Sequence, residues 1–149
     1  MTGRTVSCGV VMLNSAGDVL LCHATETTHW DVPKGQADPD EEPRTAALRE
    51  LMEETGIVLD ADRLKDLGRF VYRRDKDLHL FAVCVSDDEV KLEDCVCESY
   101  FPRYSDGAMI PEMDAYRWVS PLDVDRYASR SLSRFFQTTL SLTELHETL

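Results

Sequence analysis

Apolar and β-branched residues dominate residues 5–13, stop at Asn14-Ser-Ala-Gly17-Asp18, and resume over residues 19–23. Two such runs around a cluster of turn formers predict a β-hairpin. Trp30-Asp-Val-Pro33-Lys34-Gly35 is punctuated by proline and glycine and is expected to be a loop. Acidic residues then precede Pro43, a favoured first helical residue, and residues 44–55 keep a helical period until Gly56 ends it. Residues 67–73 and 78–86 predict two more strands joined by the charged turn Arg74-Asp-Lys-Asp77, and residues 116–119 a short one. Ser120-Pro121 supplies an N-cap and a first-turn proline for a brief helix. Leu132, Phe135, Phe136, Leu140 and Leu145 lie near helical spacing and predict one closing amphipathic helix. Strands and helices interleave, yet hairpins are also present. The expected fold class is therefore α/β, with a mixed β-sheet between helices.

A chain of 149 residues fits one domain, residues 1–149, with length enough for its own core. Its 43% hydrophobic and 30% charged content is that of a soluble globular protein. No apolar run is long enough to span a bilayer, and Met1-Thr2-Gly3-Arg4 opens no apolar leader, so the expected location is the cytoplasm. Five cysteines, Cys8, Cys22, Cys84, Cys95 and Cys97, are odd in number, and the first three lie in apolar, strand-like stretches. Reduced, core-forming thiols are expected. Cys95-Val-Cys97 has no second cysteine or histidine pair at ligand spacing.

The formal net charge of −12 disfavours long nucleic acid, whose affinity rests on lysine and arginine neutralising phosphates. A small phosphorylated ligand remains compatible, provided something cationic offsets the field where it binds.

The chemistry concentrates on the predicted central helix. At about 100° per residue, Glu50, Glu53 and Glu54 project at roughly 0°, 300° and 40°, on one face about 100° wide. Ala47, Leu51, Leu48 and Met52 follow at roughly 60° to 200° and predict the packing face. By periodicity alone, such an acidic trio is an ordinary solvated ridge. Glu50 and Glu54 repel at i,i+4 by about 0.2–0.5 kcal/mol, and a divalent cation would turn that repulsion into ligation.

Residues 35–57, GQADPDEEPRTAALRELMEETGI, complete a longer pattern. A glycine, five residues, a glutamate, seven residues, then Arg-Glu-aliphatic-x-Glu-Glu-x-Gly-aliphatic is met at Gly35, Glu41, Arg49, Glu50, Leu51, Glu53, Glu54, Gly56 and Ile57. On these residues the chain resembles the Nudix hydrolase family, and the order of predicted elements is similar to that family's α/β/α sandwich. The resemblance implies a hydrolase that cleaves a diphosphate linkage with Mg²⁺, for which Mn²⁺ can substitute. It implies Glu53 and Glu54 as principal metal ligands and Glu50 as a further ligand or the base. Glu53 is the other candidate base, since that role varies within the family. Arg49 would orient the glutamates through ion pairs, with Glu41 as a partner, and Gly35 would permit a tight turn and offer its carbonyl to a metal. Glu112, six residues before Trp118, resembles the acid that members recruit from a later loop; Glu98 and Asp114 are its rivals.

Lys34, just before the motif, is a candidate phosphate contact. Trp30-Asp-Val-Pro33-Lys34-Gly35 resembles the opening of members that cleave dinucleoside polyphosphates or diphosphoinositol polyphosphates. Tyr72 stands at about the distance where diadenosine-polyphosphate hydrolases carry a tyrosine, which would stack on a base. Trp30 and Phe101 are further stacking candidates, and His29 is a candidate accessory acid or base. The proline that ADP-ribose-cleaving members carry is absent, Phe70, Val71 and Tyr72 occupying the region.

The favoured substrate is thus a dinucleoside polyphosphate. The alternatives are ADP-ribose, a (deoxy)nucleoside triphosphate or a diphosphoinositol polyphosphate. An isoprenoid-diphosphate isomerase of the same fold would need a dedicated acid and thiol, which nothing near Cys95 or Cys97 announces. A nucleotide-binding regulatory module of this fold is the non-enzyme alternative, and such modules usually lose the carboxylates kept here. The local basic patch of Arg69, Arg73, Arg74 and Lys76 is what would favour an RNA end. No membrane partner is expected, and members of the family are monomers or homodimers.

Overall fold

The computed structural model describes residues 4–149; Met1–Gly3, on which the expectation of no apolar leader falls, lie outside the described residues. Its core is a seven-stranded mixed sheet. Strand β1 (Thr5–Leu13) leads through the Asn14–Asp18 turn into β2 (Val19–Ala24). The Asn14 side-chain oxygen accepts from the N–H groups of Ala16 and Asp18, both at 3.0 Å, which closes that turn. Beyond the turn β1 and β2 separate, for only Leu13 and Val19 are paired. The wedge between them is filled by the Trp30–Gln36 segment. Its first strand, β3 (Trp30–Asp31), pairs with β2, and its second, β4 (Lys34–Gln36), pairs with β1.

This segment corrects the expectation of a plain loop. Pro33 has no N–H to donate, but its carbonyl accepts from Val10 N–H at 3.1 Å, so proline interrupts the pairing without ending it. Gly9 makes the approach possible. A Cβ there would stand 2.6 Å from Lys34 Cβ and 2.8 Å from the Pro33 carbonyl oxygen.

Helix α1 (Pro43–Thr55) starts at its proline and stops at Gly56, whose left-handed backbone returns its N–H to Met52 O at 2.8 Å. A second hairpin follows, β5 (Lys65–Arg73) with β6 (Lys76–Cys84). The pairing reaches Arg73 and Lys76, so the connection is tighter than the four-residue turn expected from charge alone. Strand β6 runs parallel to all of β1, from Thr5 opposite Lys76 to Leu13 opposite Cys84. That parallel step, with α1 as the crossover, makes the sheet mixed. Strand β9 (Met113–Val119) closes the other edge against β2 and is longer than residues 116–119.

Alternation along the strands builds a core on each face. Val11, Leu13, Leu21, Leu78 and Leu80 point to one side, Cys8, Val10, Met12, Leu20 and Phe81 to the other. Ala46, Ala47 and Leu51 of α1 cover the second face. The first is covered by α2 (Val124–Tyr127), α3 (Arg130–Thr138) and α4 (Leu142–Thr148). This is the expected α/β/α sandwich. The brief helix after Ser120 is present, and Ser120 Oγ accepts from Leu122 N–H at 3.3 Å. The single closing helix is not. Ser141 adopts an extended backbone and its Oγ accepts from Glu144 N–H at 3.2 Å, starting a new helix. Ser141-Leu-Thr-Glu144 has the spacing of a capping box, a signal that could have located the break.

The segment between β6 and β9 is mostly irregular and carries a small separate hairpin, β7 (Tyr100–Pro102) with β8 (Met109–Pro111). It is tied to the end of α1: Val96 N–H reaches Thr55 O at 3.0 Å and Glu98 N–H reaches Glu53 O at 2.7 Å. The five cysteines are free thiols, with Cys8, Cys22 and Cys97 buried. Among the described residues, no helix is long and apolar enough to cross a membrane.

Candidate active site

Helix α1 does not set an acidic ridge opposite an apolar one. Ala46, Ala47, Glu50, Leu51, Glu54 and Thr55 are all buried, so acids and core residues share one inward arc, while Met52 is only partly covered. The wheel placed these side chains correctly relative to one another but assigned solvent to the wrong part of the arc. The reason is β4, which α1 packs against beside β1.

Gly35 in β4 is where the two meet. A Cβ on it would fall 2.2 Å from Glu50 Cδ and 2.3–2.4 Å from both Glu50 oxygens. The carboxylate occupies the volume that any other residue's side chain would need.

Arg49 organises the surface of this cluster. Its Nε and Nη2 donate to the two Glu41 oxygens, each at 2.9 Å, a bidentate pair. Its Nη1 donates to Glu50 Oε2 at 2.9 Å and, more loosely, to both Glu53 oxygens at 3.3 Å. Nη2 also reaches the Gln36 carbonyl at 3.3 Å, which ties α1 to β4. The Arg49 hydrogen bonds hold Glu41 down at about 2. Conversely, Glu41 first, opposed by partial burial and then helped by Glu50 and Glu53, raises Arg49.

Glu54 is the anomaly. It is fully buried, and neither carboxylate oxygen has a hydrogen-bond partner. Burial first, and then the neighbouring Glu50 carboxylate, push its pKa well above the usual carboxylate range, with Glu112 adding repulsion and Lys34 opposing it. An unpartnered buried carboxylate is costly unless a cation or proton supplies what the protein does not. The donor set here is all oxygen, and hard carboxylates in an acidic pocket suit Mg²⁺. No ready-made cage of three or more His, Cys, Asp or Glu side chains exists among the described residues. Arg49 explains part of this, because it already holds one Glu50 oxygen and both of Glu53. The residues therefore fit an ion of the Mg²⁺ type, held by one or two carboxylates and completed by water and substrate oxygens.

Glu112 sits just before β9, and its Oε1 accepts from Ser99 Oγ at 2.9 Å. Its backbone N–H reaches Ser99 O at 2.8 Å, which ties it to the segment that hangs on α1. Of its rivals, Glu98 is exposed and contributes its backbone N–H to Glu53 O, while Asp114 is taken up by His23 Nδ1 at 2.5 Å.

Lys34 points to the other side of β4 and forms an ion pair with Asp31 Oδ2 at 2.8 Å. Burial opposes its charge, but Asp31 and then Glu54 outweigh it and hold the ammonium above its ordinary pKa. Asp31 is a partner that motif reading missed. Lys34 also lines a cleft of about 460 Å³ together with His29, Asp31, Tyr72, Arg73 and Arg130. Tyr72 is half-buried and packs edge-on against Phe135 at 6.0 Å. Trp30 is placed elsewhere, between His23 at 5.2 Å and Tyr127 at 6.0 Å, with the Arg117 guanidinium 5.8 Å over its ring. Phe101 lies in the β7–β8 hairpin, opposite Ile110. The basic patch is partly neutralised, for Arg69 Nε and Arg4 both bond Asp77.

Comparison with known proteins bears on the family and the fold. The NUDIX domain family model matches residues 3–138. An uncharacterised 17.7 kDa protein of Enterobacteria phage T4 is 38% identical over 125 residues, 78% of this chain and 82% of its own length. The RNA pyrophosphohydrolase of Pseudomonas putida strain F1 is 31% identical over 117 residues, 75% of this chain and 74% of that protein. Among solved structures, the C. elegans Ap4A hydrolase binary complex superposes with a TM-score of 0.64, covering 96% of this chain and 99% of that one. At 18% identity, that likeness speaks for the fold.

Proposed function

The chain belongs to the NUDIX family and is a pyrophosphohydrolase; from that premise we propose that it is an Mg²⁺-dependent enzyme of a single domain, acting on a nucleoside polyphosphate, with a dinucleoside polyphosphate favoured. The observation that carries the reading is the pair of buried, unpartnered Glu54 oxygens beside the Arg49-held Glu50 and Glu53 carboxylates. Glu54, Glu50, Glu53, the Gly35 carbonyl and Glu112 are the proposed metal-holding groups. A bound Mg²⁺ supplies charge neutralisation for the phosphoryl oxygens and a more acidic water.

The chain's own residues do the rest. Glu53 has 32% of its side chain exposed against 11% for Glu50, so it is the carboxylate that water reaches, and it takes the role of base. It removes the proton as the water oxygen bonds to phosphorus. The phosphoanhydride bond then breaks, and its electron pair leaves with the departing phosphate oxygen. Arg49 is a positioning residue, fixing Glu50 and Glu53 against Glu41. Lys34 binds a phosphate oxygen and offsets the field of a chain of net charge −12. Tyr72 offers a face for a base at the cleft.

A panel of nucleotide-linked diphosphates, incubated with Mg²⁺ and followed for released phosphate or nucleotide, tests this. Turnover of diadenosine tetraphosphate ahead of ADP-ribose is expected. Tight nucleotide binding with no turnover of any compound would refute it in favour of a binding module.

A further inference from the structure

Glu53 and Glu54 stand in the last turn of α1, where a helix leaves four carbonyls without intrahelical partners and frays most readily. In this chain none of the four is left over. Met52 O accepts from Gly56 N–H at 2.8 Å, Glu53 O from Glu98 N–H at 2.7 Å, and Thr55 O from Val96 N–H at 3.0 Å. Glu54 O accepts from the Tyr116 hydroxyl at 2.6 Å. Three of these donors are backbone groups, which any residue but proline would supply. The fourth is a side chain, so residue type matters there. The Tyr116 ring packs with Trp118 against the core on the α1 face, and a phenylalanine would fill that space equally well. What tyrosine adds is the hydroxyl, and among the described residues its one hydrogen bond goes to the Glu54 carbonyl.

The strand that carries Tyr116 also leads out of Glu112, for β9 starts at the next residue, Met113. Glu112 is fixed on three sides. Its N–H donates to Ser99 O at 2.8 Å, its carbonyl accepts from Thr25 N–H at 3.0 Å, and its carboxylate accepts from Ser99 Oγ at 2.9 Å. Ser99 in turn follows Glu98, whose N–H holds the Glu53 carbonyl. These contacts close a ring. It runs from the end of α1 through residues 96–99 to Glu112, along β9 to Tyr116, and back to the end of α1. The hydroxyls of Tyr116 and Ser99 are its two side-chain links.

We infer that Tyr116 and Ser99 are positioning residues of the reaction, Tyr116 fixing the turn that bears Glu53 and Glu54, and Ser99 fixing Glu112 in the same frame. This rests on the hydrolase reading above and adds to it two residues that lie outside the motif. Neither touches the reacting atoms. Without the phenol the Glu54 carbonyl loses its donor, the last turn is released, and the carboxylates on it shift. A misplacement of about 1 Å is enough to cost about 100-fold in rate, and loss of a partner that orients a metal-holding group costs about 10–100-fold in affinity or activity. A hydroxyl that served only to hold the fold would instead lower stability and leave metal affinity and kcat of the folded protein unchanged.

The test reads both quantities well below the unfolding midpoint of each protein. Tyr116→Phe should lower kcat about tenfold or more with KM little changed. It should also weaken Mn²⁺ binding to the substrate-free protein about tenfold, as followed by loss of the free-ion paramagnetic resonance signal. Ser99→Ala should act in the same direction, and Ser99→Thr, which keeps a hydroxyl, should restore both values. Tyr127→Phe is the control. It removes a phenol that Arg117 bonds on the other face of the sheet and should keep wild-type kcat and Mn²⁺ affinity. Wild-type values in Tyr116→Phe, with only the unfolding midpoint lowered, overturn the role of Tyr116. Ser99→Thr no better than Ser99→Ala overturns that of Ser99. An equal loss in the control, or absence of Mn²⁺ binding to the wild type, overturns both. If the wild type turns over none of the nucleotide-linked diphosphates, the hydrolase reading fails, and the Mn²⁺ affinities of the variants still decide the positioning.

Discussion

Gly35 and Glu50 share one volume: the Glu50 carboxyl carbon stands 2.2 Å from where a Gly35 Cβ would be. The backbone of Gly35 is not left-handed, so the requirement is for space and not for an unusual conformation. Gly35→Ala should displace Glu50, release it from Arg49, and lower kcat by about 100-fold. The crowding should also destabilise the fold by about 1–3 kcal/mol, which denaturant unfolding would measure. Wild-type kcat in the alanine variant would show that the Glu50 position is irrelevant to turnover.

Glu54→Gln separates activity from stability. Removing the principal proposed ligand should lower kcat by at least about 100-fold. Without metal, the variant should nevertheless melt higher at neutral pH, by about 1–3 kcal/mol of stability, because a buried carboxylate with no partner has been removed. Glu54 is raised in the folded state, so both states are protonated below 4.5 and the penalty is absent there. As pH rises above 4.5 the unfolded chain ionises while the fold resists, and wild-type stability is lost relative to the variant. Adding Mg²⁺ should stabilise the wild type and leave Glu54→Gln nearly unmoved. Equal metal-induced shifts in both would place the ion elsewhere.

Glu41 runs the opposite way. Arg49 holds it at about 2, so its stabilisation is complete above 4.5 and disappears as pH falls toward 2. Thermal melts of wild type and Glu41→Gln should differ most above pH 4.5 and converge in acid. A gap that persists at low pH would mean the Glu41–Arg49 pair acts by packing alone.

Arg49→Lys keeps the charge and loses the fork. One ammonium cannot hold both Glu41 oxygens and Glu50 together, so kcat should drop about 10–100-fold with KM little changed. A change confined to KM would make Arg49 a substrate contact instead of a positioning residue.

Lys34→Met should raise KM about tenfold for polyphosphate substrates and change kcat less, as removal of one charge-assisted contact predicts. Steady-state kinetics at fixed ionic strength would show it. An unaltered KM would confine Lys34 to its structural pairing with Asp31.

The sequence by itself determined the long strands, the central helix and the chemical constellation, but not the short strands β3, β4, β7 and β8 or the break between α3 and α4. Apolar, β-branched runs on either side of turn residues specified both hairpins, Pro43 and Gly56 specified the ends of α1, and motif spacing named Arg49, Glu50, Glu53 and Glu54, because all of these depend on short-range patterns and backbone preferences. What faces solvent was another matter. A helical wheel gives relative angles, but which part of the arc is covered depends on what packs there, and β4 is brought to α1 by the parting of β1 from β2. That separation depends on Gly9 admitting Pro33 and Lys34, a contact between residues some 25 positions apart that no local period encodes. Only the tertiary structure therefore decided that Glu54 is buried without a partner, that Asp31 holds Lys34, and that Arg73 and Arg130 meet in one cleft. Burial and electrostatic pairing are sums over neighbours, and the neighbours are chosen by the fold.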